Sequence, residues 1–197
     1  MSTIEKTSPT SLSALELLHS RASAIKLGEP GPSQGDIEAI LRAAVTAADH
    51  GRVRPWRFIV MQGEGRNKLG ALMAQSFQAA NPAASPEDLQ REANKPLRAP
   101  VIIALVAKTD SKHKIPVIEQ ILAAGAAGAH LMLAANALGY GVTWKTGAAA
   151  YDPLVRDGLG FADGDVIIGF FYIGTDPKIG APPPRAEIGA VTDYWTS

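Results

Sequence analysis

The sequence predicts an α+β fold in which helices cover a small sheet, within a single domain spanning residues 13–197 behind a flexible N-terminus of residues 1–12. Three observations predict it. Two runs, APVIIALVAK and DVIIGFFYIGT, are continuously apolar and rich in β-branched or aromatic residues, as strands buried on both faces are. Several other segments repeat their apolar residues at helical spacing behind serine caps. No internal repeat or low-complexity block interrupts the chain, and three or four strands among five or six helices fit helices laid on one sheet.

The elements follow in order. Ser13 with Glu16 three residues later is a capping-box pattern, so a helix starts there, with Leu15, Leu18 and Ala22 on one face. The chain leaves it through SAIKLGEPGPS, a glycine- and proline-rich loop. Ser33 caps a second helix, whose Ile37, Ile40, Leu41, Ala44 and Val45 recur at helical spacing. WRFIVM reads as a strand, and RNKLGALMAQSFQAA as a third helix. In SPEDLQREAN, Ser85 caps and Pro86 takes the first helical position, where its missing amide costs nothing. After the strand APVIIALVAK comes ILAAGAAGAHLMLAANAL, residues 121–138, about as long as a membrane span. Alanine and glycine supply little transfer energy, and His130 and Asn136 would be costly in lipid, so a buried helix closely packed on other backbone is the expectation. Gly139 ends it. YGVTWKTG is a short strand or extended loop, DPLVRDGLG a short helix, DVIIGFFYIGT the second buried strand, and DPKIGAPPPRAE a proline-rich exit.

Composition narrows the function. The chain has 197 residues, 46% of them hydrophobic, with 19 basic and 19 acidic residues, so no cationic footprint marks a nucleic-acid partner. It has no cysteine, which excludes disulfides, thiolate catalysis and cysteine-held metals, and any redox role must use a bound cofactor. The polar start MSTIEKTSPTS lacks the apolar core of a signal peptide, which places the protein in the cytoplasm by expectation, and no membrane partner is expected. MQGEGRNKLG follows a strand and opens a helix, but Lys68 stands where a dinucleotide fingerprint needs its third glycine. The four histidines are isolated, so no metal site is expected. There is no G-x-S-x-G and no P-loop.

Three stretches carry groups suited to anions. HSRAS, residues 19–23, offers the planar fork of Arg21 and the hydroxyl of Ser23. DHGRVRPW, residues 49–56, is an arginine-rich turn pinned by Pro55 and Trp56. TWKTG places Trp144, Lys145 and Thr146 at a strand edge. Taken singly, each also suits a structural role: a solvated helix end, a loop whose tryptophan covers the core, a core tryptophan beside a surface lysine.

In this order and spacing the stretches resemble the FMN-dependent nitroreductase family, and within it the small, single-domain branch of NAD(P)H nitroreductases. The resemblance runs from about residue 13 to 175 and rests on ALELLHSRAS, ILRAAVTAADH, RPWRFIV, QGEGR, HKIPVIEQ and GYGVTWKTG. An ADH followed five residues on by PW marks that branch. It implies a mostly antiparallel or mixed sheet and an intertwined homodimer with two FMN sites, each built from both chains. It also implies that Arg21, Ala22, Ser23, Trp144, Lys145 and Thr146 bind FMN, with His50 and Arg54 reaching it from the other subunit. The stretch Ala134, Ala135, Asn136, Ala137, Leu138 and Gly139 matches one assigned to NAD(P) in the branch. Two positions depart from the pattern: Ala22 replaces the family's second arginine, and Arg54 stands where the branch has glutamine.

The implied activity is hydride transfer from NADH or NADPH to FMN, then to a nitroaromatic, quinone or similar electron-poor acceptor, in ping-pong order. The flavin carries the chemistry and no catalytic side chain is needed. The rival readings are a flavin-fragmenting or reductive dehalogenating enzyme of the same fold, an FMN carrier or sensor without turnover, and a dimeric scaffold with an empty site.

Overall fold

The computed structural model describes residues 13–178 and 181–196; the expected flexible segment 1–12 lies outside them. Serine caps set three of the helix starts. The hydroxyls of Ser13, Ser33 and Ser85 accept the amides of Glu16, Asp36 and Asp88, and those carboxylates take the serine amides in return. These open α1 (Ala14–Ser20), α2 (Gln34–Ala44) and α4 (Pro86–Ala93). Between α2 and α4 lie β1 (Trp56–Met61) and α3 (Glu64–Ala80), the latter starting two residues before its expected first turn. β2 (Val101–Ala107) is buried at every position. Then follow α5 (Val117–Ala137), β3 (Gly141–Lys145), α6 (Pro153–Gly158) and β4 (Val166–Gly174). α5 begins four residues before the apolar run read from sequence, and Gly139, at φ 83°, turns the chain out of it.

The strands pair in the order β1-β2-β4-β3, and every pairing is antiparallel. The two runs read as doubly buried strands are the two central ones. One face of the sheet packs on α2 and α5 through Ile103, Leu105, Phe171, Ile173, Leu131 and Ile40. The other packs on α3 and α6 through Ile102, Ala104, Phe170, Tyr172, Leu69 and Val155. α5 approaches its face closely at Gly128, where a Cβ would lie 2.8 Å from Phe171 Cζ; at Gly125 nothing lies within 4 Å. α5 is long and apolar enough to cross a membrane, but its inner face is the packing partner of the sheet.

α1 lies against α5, yet none of its residues is buried among the described residues, and Leu15 and Leu18 are exposed. Ile118 and Leu122 on the outer side of α5 are exposed as well. Helical periodicity reports that a face wants cover, not that the same chain supplies it.

Candidate functional site

Strand register decides which side chains of TWKTG meet. Trp144 pairs with Phe171 and Lys145 with Phe170, so the two point to opposite faces of the sheet. Trp144 belongs to the α5 face. Its ring lies 4.9 Å from that of Phe171, and its indole N–H donates to the Ile168 carbonyl at 3.0 Å. Lys145 lies on the α3 face, its ammonium 5.3 Å from the centre of the Tyr172 ring, within cation–π range.

That face holds a cavity of about 620 Å³. It is lined by Lys145, Thr146 and Gly147 from the end of β3, Phe170 and Tyr172 of β4, Phe77 of α3 and Asn81, which caps α3. Lys95 and Arg98 close it from the 3₁₀ turn Lys95–Arg98 that precedes β2. Three cations and three aromatic rings therefore line one concavity. Lys95 is paired with Glu92, also in the wall. The Tyr172 phenol is pushed up to about 12, chiefly by burial, with the Arg98 charge pulling the other way. It stays protonated at neutral pH and is available as a hydrogen-bond donor.

HSRAS comes to this end of the sheet as a strap. The Gly28 and Thr175 amides exchange hydrogen bonds with each other's carbonyls, and the Ala24 amide donates to the Val142 carbonyl at 3.1 Å. The Thr143 hydroxyl donates to the Ala24 carbonyl. As residue number falls from 28 to 24 the strap runs along β3 from Gly141 to Thr143, and Arg21, Ala22 and Ser23 precede it in the chain. None of those three residues lines the cavity. The C-terminal segment joins them: the Arg185 guanidinium donates to the Arg21 carbonyl at 2.6 Å, bringing a second arginine to the strap.

DHGRVRPW stands elsewhere. It leads into β1, the opposite edge of the sheet from β3, three strand spacings or about 14 Å away. Pro55 and Trp56 are buried, and the Pro55 carbonyl accepts the Lys108 amide at 2.7 Å, which anchors the loop to β2. His50 Nδ1 lies 2.5 Å from Glu119 Oε2 at the start of α5. Arg52 and Arg54 are exposed. The chain therefore places Lys145 and Thr146 in the cavity wall, runs residues 24–28 alongside β3, and leaves His50 and Arg54 at the opposite edge of the sheet. The stretch from Ala134 to Gly139 is also remote from the cavity. It ends α5 and leads to Tyr140 at the opposite end of β3, where Asn136 donates to the Tyr140 carbonyl and the Tyr140 hydroxyl to Asp36.

The chain matches the Nitroreductase family over residues 26–175. It belongs to that family. Members of the family are oxidoreductases, and the expected kinship and fold class hold. The chain is 42% identical over 164 residues to the Escherichia coli (strain K12) protein named "Putative NAD(P)H nitroreductase YdjA", covering 83% of this chain and 88% of that one. It superposes with a TM-score of 0.84 on the nitroreductase-like family protein from Bacillus cereus, at 25% identity, over 97% of this chain and 100% of the other. The FMN and NADPH-dependent nitroreductase NfnB from sphigopyxis sp. strain HMH shares the fold at a TM-score of 0.75 and 20% identity, over 94% and 100% of the two chains.

Sequence reading missed Lys95, Arg98, Tyr172 and Arg185. NKPLRAP carries only turn signals, and Tyr172 sits inside a run that reads as core. Only the packing of α3 and the Lys95–Arg98 turn against β4 makes these residues neighbours.

Proposed function

We propose that the protein is an FMN-dependent NAD(P)H oxidoreductase working as a homodimer, with each cofactor site completed by the 49–54 loop of the other copy. The observation that carries this reading is the division of the residue set between opposite edges of one sheet. Lys145, Thr146 and the strap stand at β3, while His50 and Arg54 stand at β1. A second copy related by a two-fold axis can bring its β1 edge to the first copy's β3 edge. The uncovered Leu15, Leu18, Ile118 and Leu122, and a C-terminal segment whose Trp195 is 97% exposed, support such a partner.

The cavity fits the cofactor. FMN joins a flat aromatic ring system to a phosphate, and the wall combines Phe77, Phe170 and Tyr172 with Lys95, Arg98 and Lys145. Lys145, Thr146 and the Tyr172 hydroxyl would hold the ring, and Arg21 and Arg185 would face the phosphate. When bound, FMN supplies a two-electron carrier that takes hydride from NADH or NADPH and reduces an electron-poor acceptor such as a nitroaromatic or quinone. The residues bind and tune; none needs to move a proton. Arg98 and Lys145, the wall cations not paired with Glu92, favour negative charge on the ring against the nearby Asp152, and the fixed charge of Arg54 adds to them from the partner, raising the potential or selecting anionic acceptors. The nicotinamide would use the cavity in turn with the acceptor, since Ala134 to Gly139 lie away from it.

Two measurements test the reading. The purified protein, with FMN added, should show flavin absorption near about 370 and about 450 nm; its absence refutes FMN binding. Rapid oxidation of NADH or NADPH by a nitroarene or quinone should follow, and bound flavin without turnover would favour the carrier reading instead.

A further inference from the structure

Within the four residues Gly51 to Arg54, three lie in the left-handed backbone region: Gly51 at φ 70°, Arg52 at φ 55° and Arg54 at φ 52°. Glycine enters this region without cost; arginine carries a Cβ that opposes it. Such residues persist where their surroundings hold them. At Arg54 the holding groups are visible. Its amide donates to Asp49 Oδ2 at 2.7 Å, and its carbonyl accepts from Arg57 Nη1 at 3.1 Å, a nitrogen that also donates to the Trp56 carbonyl at 2.7 Å. The loop is seated from below by Ile115, whose Cγ1 would lie 3.0 Å from a Cβ on Gly51.

The Asp49 carboxylate forms no ion pair among the described residues, although four arginines and one histidine lie within eight positions of it in the chain. Its contact is with the Arg54 backbone. The Arg54 guanidinium likewise has no hydrogen-bond or ion-pair partner among the described residues, and it is exposed. The backbone is thus gripped on both sides while the charged end projects outward. A loop built only to connect α2 to β1 would need neither the left-handed arginine nor its grip.

We propose that Asp49 is a positioning residue for Arg54: its carboxylate fixes the left-handed backbone that aims the guanidinium at the partner's cofactor, and it acts on the cofactor only through Arg54. This rests on the reading that Arg54 reaches the partner's FMN, so the test separates the two. The FMN-loaded protein is compared as wild type, Asp49→Ala, Asp49→Asn, Arg54→Gln and Asp49→Ala/Arg54→Gln, with FMN affinity and flavin midpoint potential as readouts. Arg54→Gln shifts the potential, Asp49→Ala reproduces at least half of that shift, and the double variant moves no further than Arg54→Gln. Asp49→Asn, whose amide oxygen can still accept the Arg54 N–H, stays near wild type. A shift in Arg54→Gln with none in Asp49→Ala, or full additivity in the double variant, overturns the positioning role. No change in either readout for Arg54→Gln overturns the placement of Arg54 at the cofactor, and the inference with it.

A second arm needs no cofactor. The drop in urea midpoint caused by Asp49→Ala should shrink by half or more in the Arg54→Gly background, because glycine holds φ 52° unaided. An equal drop in both backgrounds overturns the grip.

Discussion

Gly169 sits where β4 passes beneath Trp144, at the irregularity where the β2 register skips between Leu105 and Val106. Replacing it by alanine would put a Cβ 2.1 Å from Trp144 Nε1, 2.5 Å from Cδ1 and 3.0 Å from the Lys145 carbonyl. The indole must leave. That breaks its hydrogen bond to the Ile168 carbonyl and strands a partly buried N–H, at about 1–3 kcal/mol. Forcing a large ring into a filled layer adds about 1–3 kcal/mol. The sum, about 2–6 kcal/mol, is a large part of the roughly 5–15 kcal/mol that holds a domain folded. The displaced atoms include the carbonyl of Lys145, so the cavity wall moves with them and FMN binding should weaken in parallel. Urea unfolding followed by tryptophan fluorescence gives the first quantity and flavin titration the second. Gly35→Ala is the control: nothing lies nearer than Ser33 Oγ at 3.9 Å, and in a helix the change should be neutral or stabilising by up to about 1 kcal/mol. A Gly169→Ala protein within about 0.5 kcal/mol of wild type, binding FMN normally, would refute the packing argument.

Lys145→Met removes a cation from the cavity and should weaken FMN binding about ten- to a hundredfold, the worth of one charge-assisted hydrogen bond, in a fluorescence titration that leaves the urea midpoint nearly unchanged. Leu122→Glu places a charge on the exposed face of α5 and should convert the proposed dimer to monomer by light scattering, with loss of bound flavin. Hydrogen bonds from Ser85, then Arg91, hold the Asp88 carboxyl below its ordinary value. A depressed folded value means that the cap stabilises α4 above the ordinary Asp range and loses that contribution as pH falls through the depressed value. Thermal midpoints from about pH 6 down to about pH 2.5 should therefore fall less steeply in Asp88→Asn than in wild type.

The elements were legible because their signals are local. A serine three residues before an acid marks a helix start whatever lies around it, and Val101–Ala107 can only be buried on both faces. The site was less so. Trp144, Lys145 and Thr146 read as one motif, yet strand alternation sends the tryptophan into the α5 layer and only its neighbours to the cavity. Which parity faces which layer depends on the pairing of β3 with β4, which no single strand encodes. Lys95 and Arg98 were hidden for a related reason, since a turn acquires a site only from what packs against it. The left-handed Arg52 and Arg54 carry no sequence signal, because glycine or asparagine is the residue that ordinarily announces such geometry. Leu15 and Leu18 show the converse case: their periodicity was real, yet both stay exposed among the described residues.

In the proposed homodimer, the placement of the 49–54 loop and Lys145 on opposite edges of one sheet has a genetic consequence. A gene copy broken in the loop and another broken at Lys145 would each yield inactive pairs, yet a mixed pair regenerates one intact site from the sound half of each. Random mixing makes about half the pairs mixed, each with one good site of two, so co-expression should recover about a quarter of normal activity. Two inactivating alleles on opposite edges would complement each other, and two alleles broken on the same edge would not.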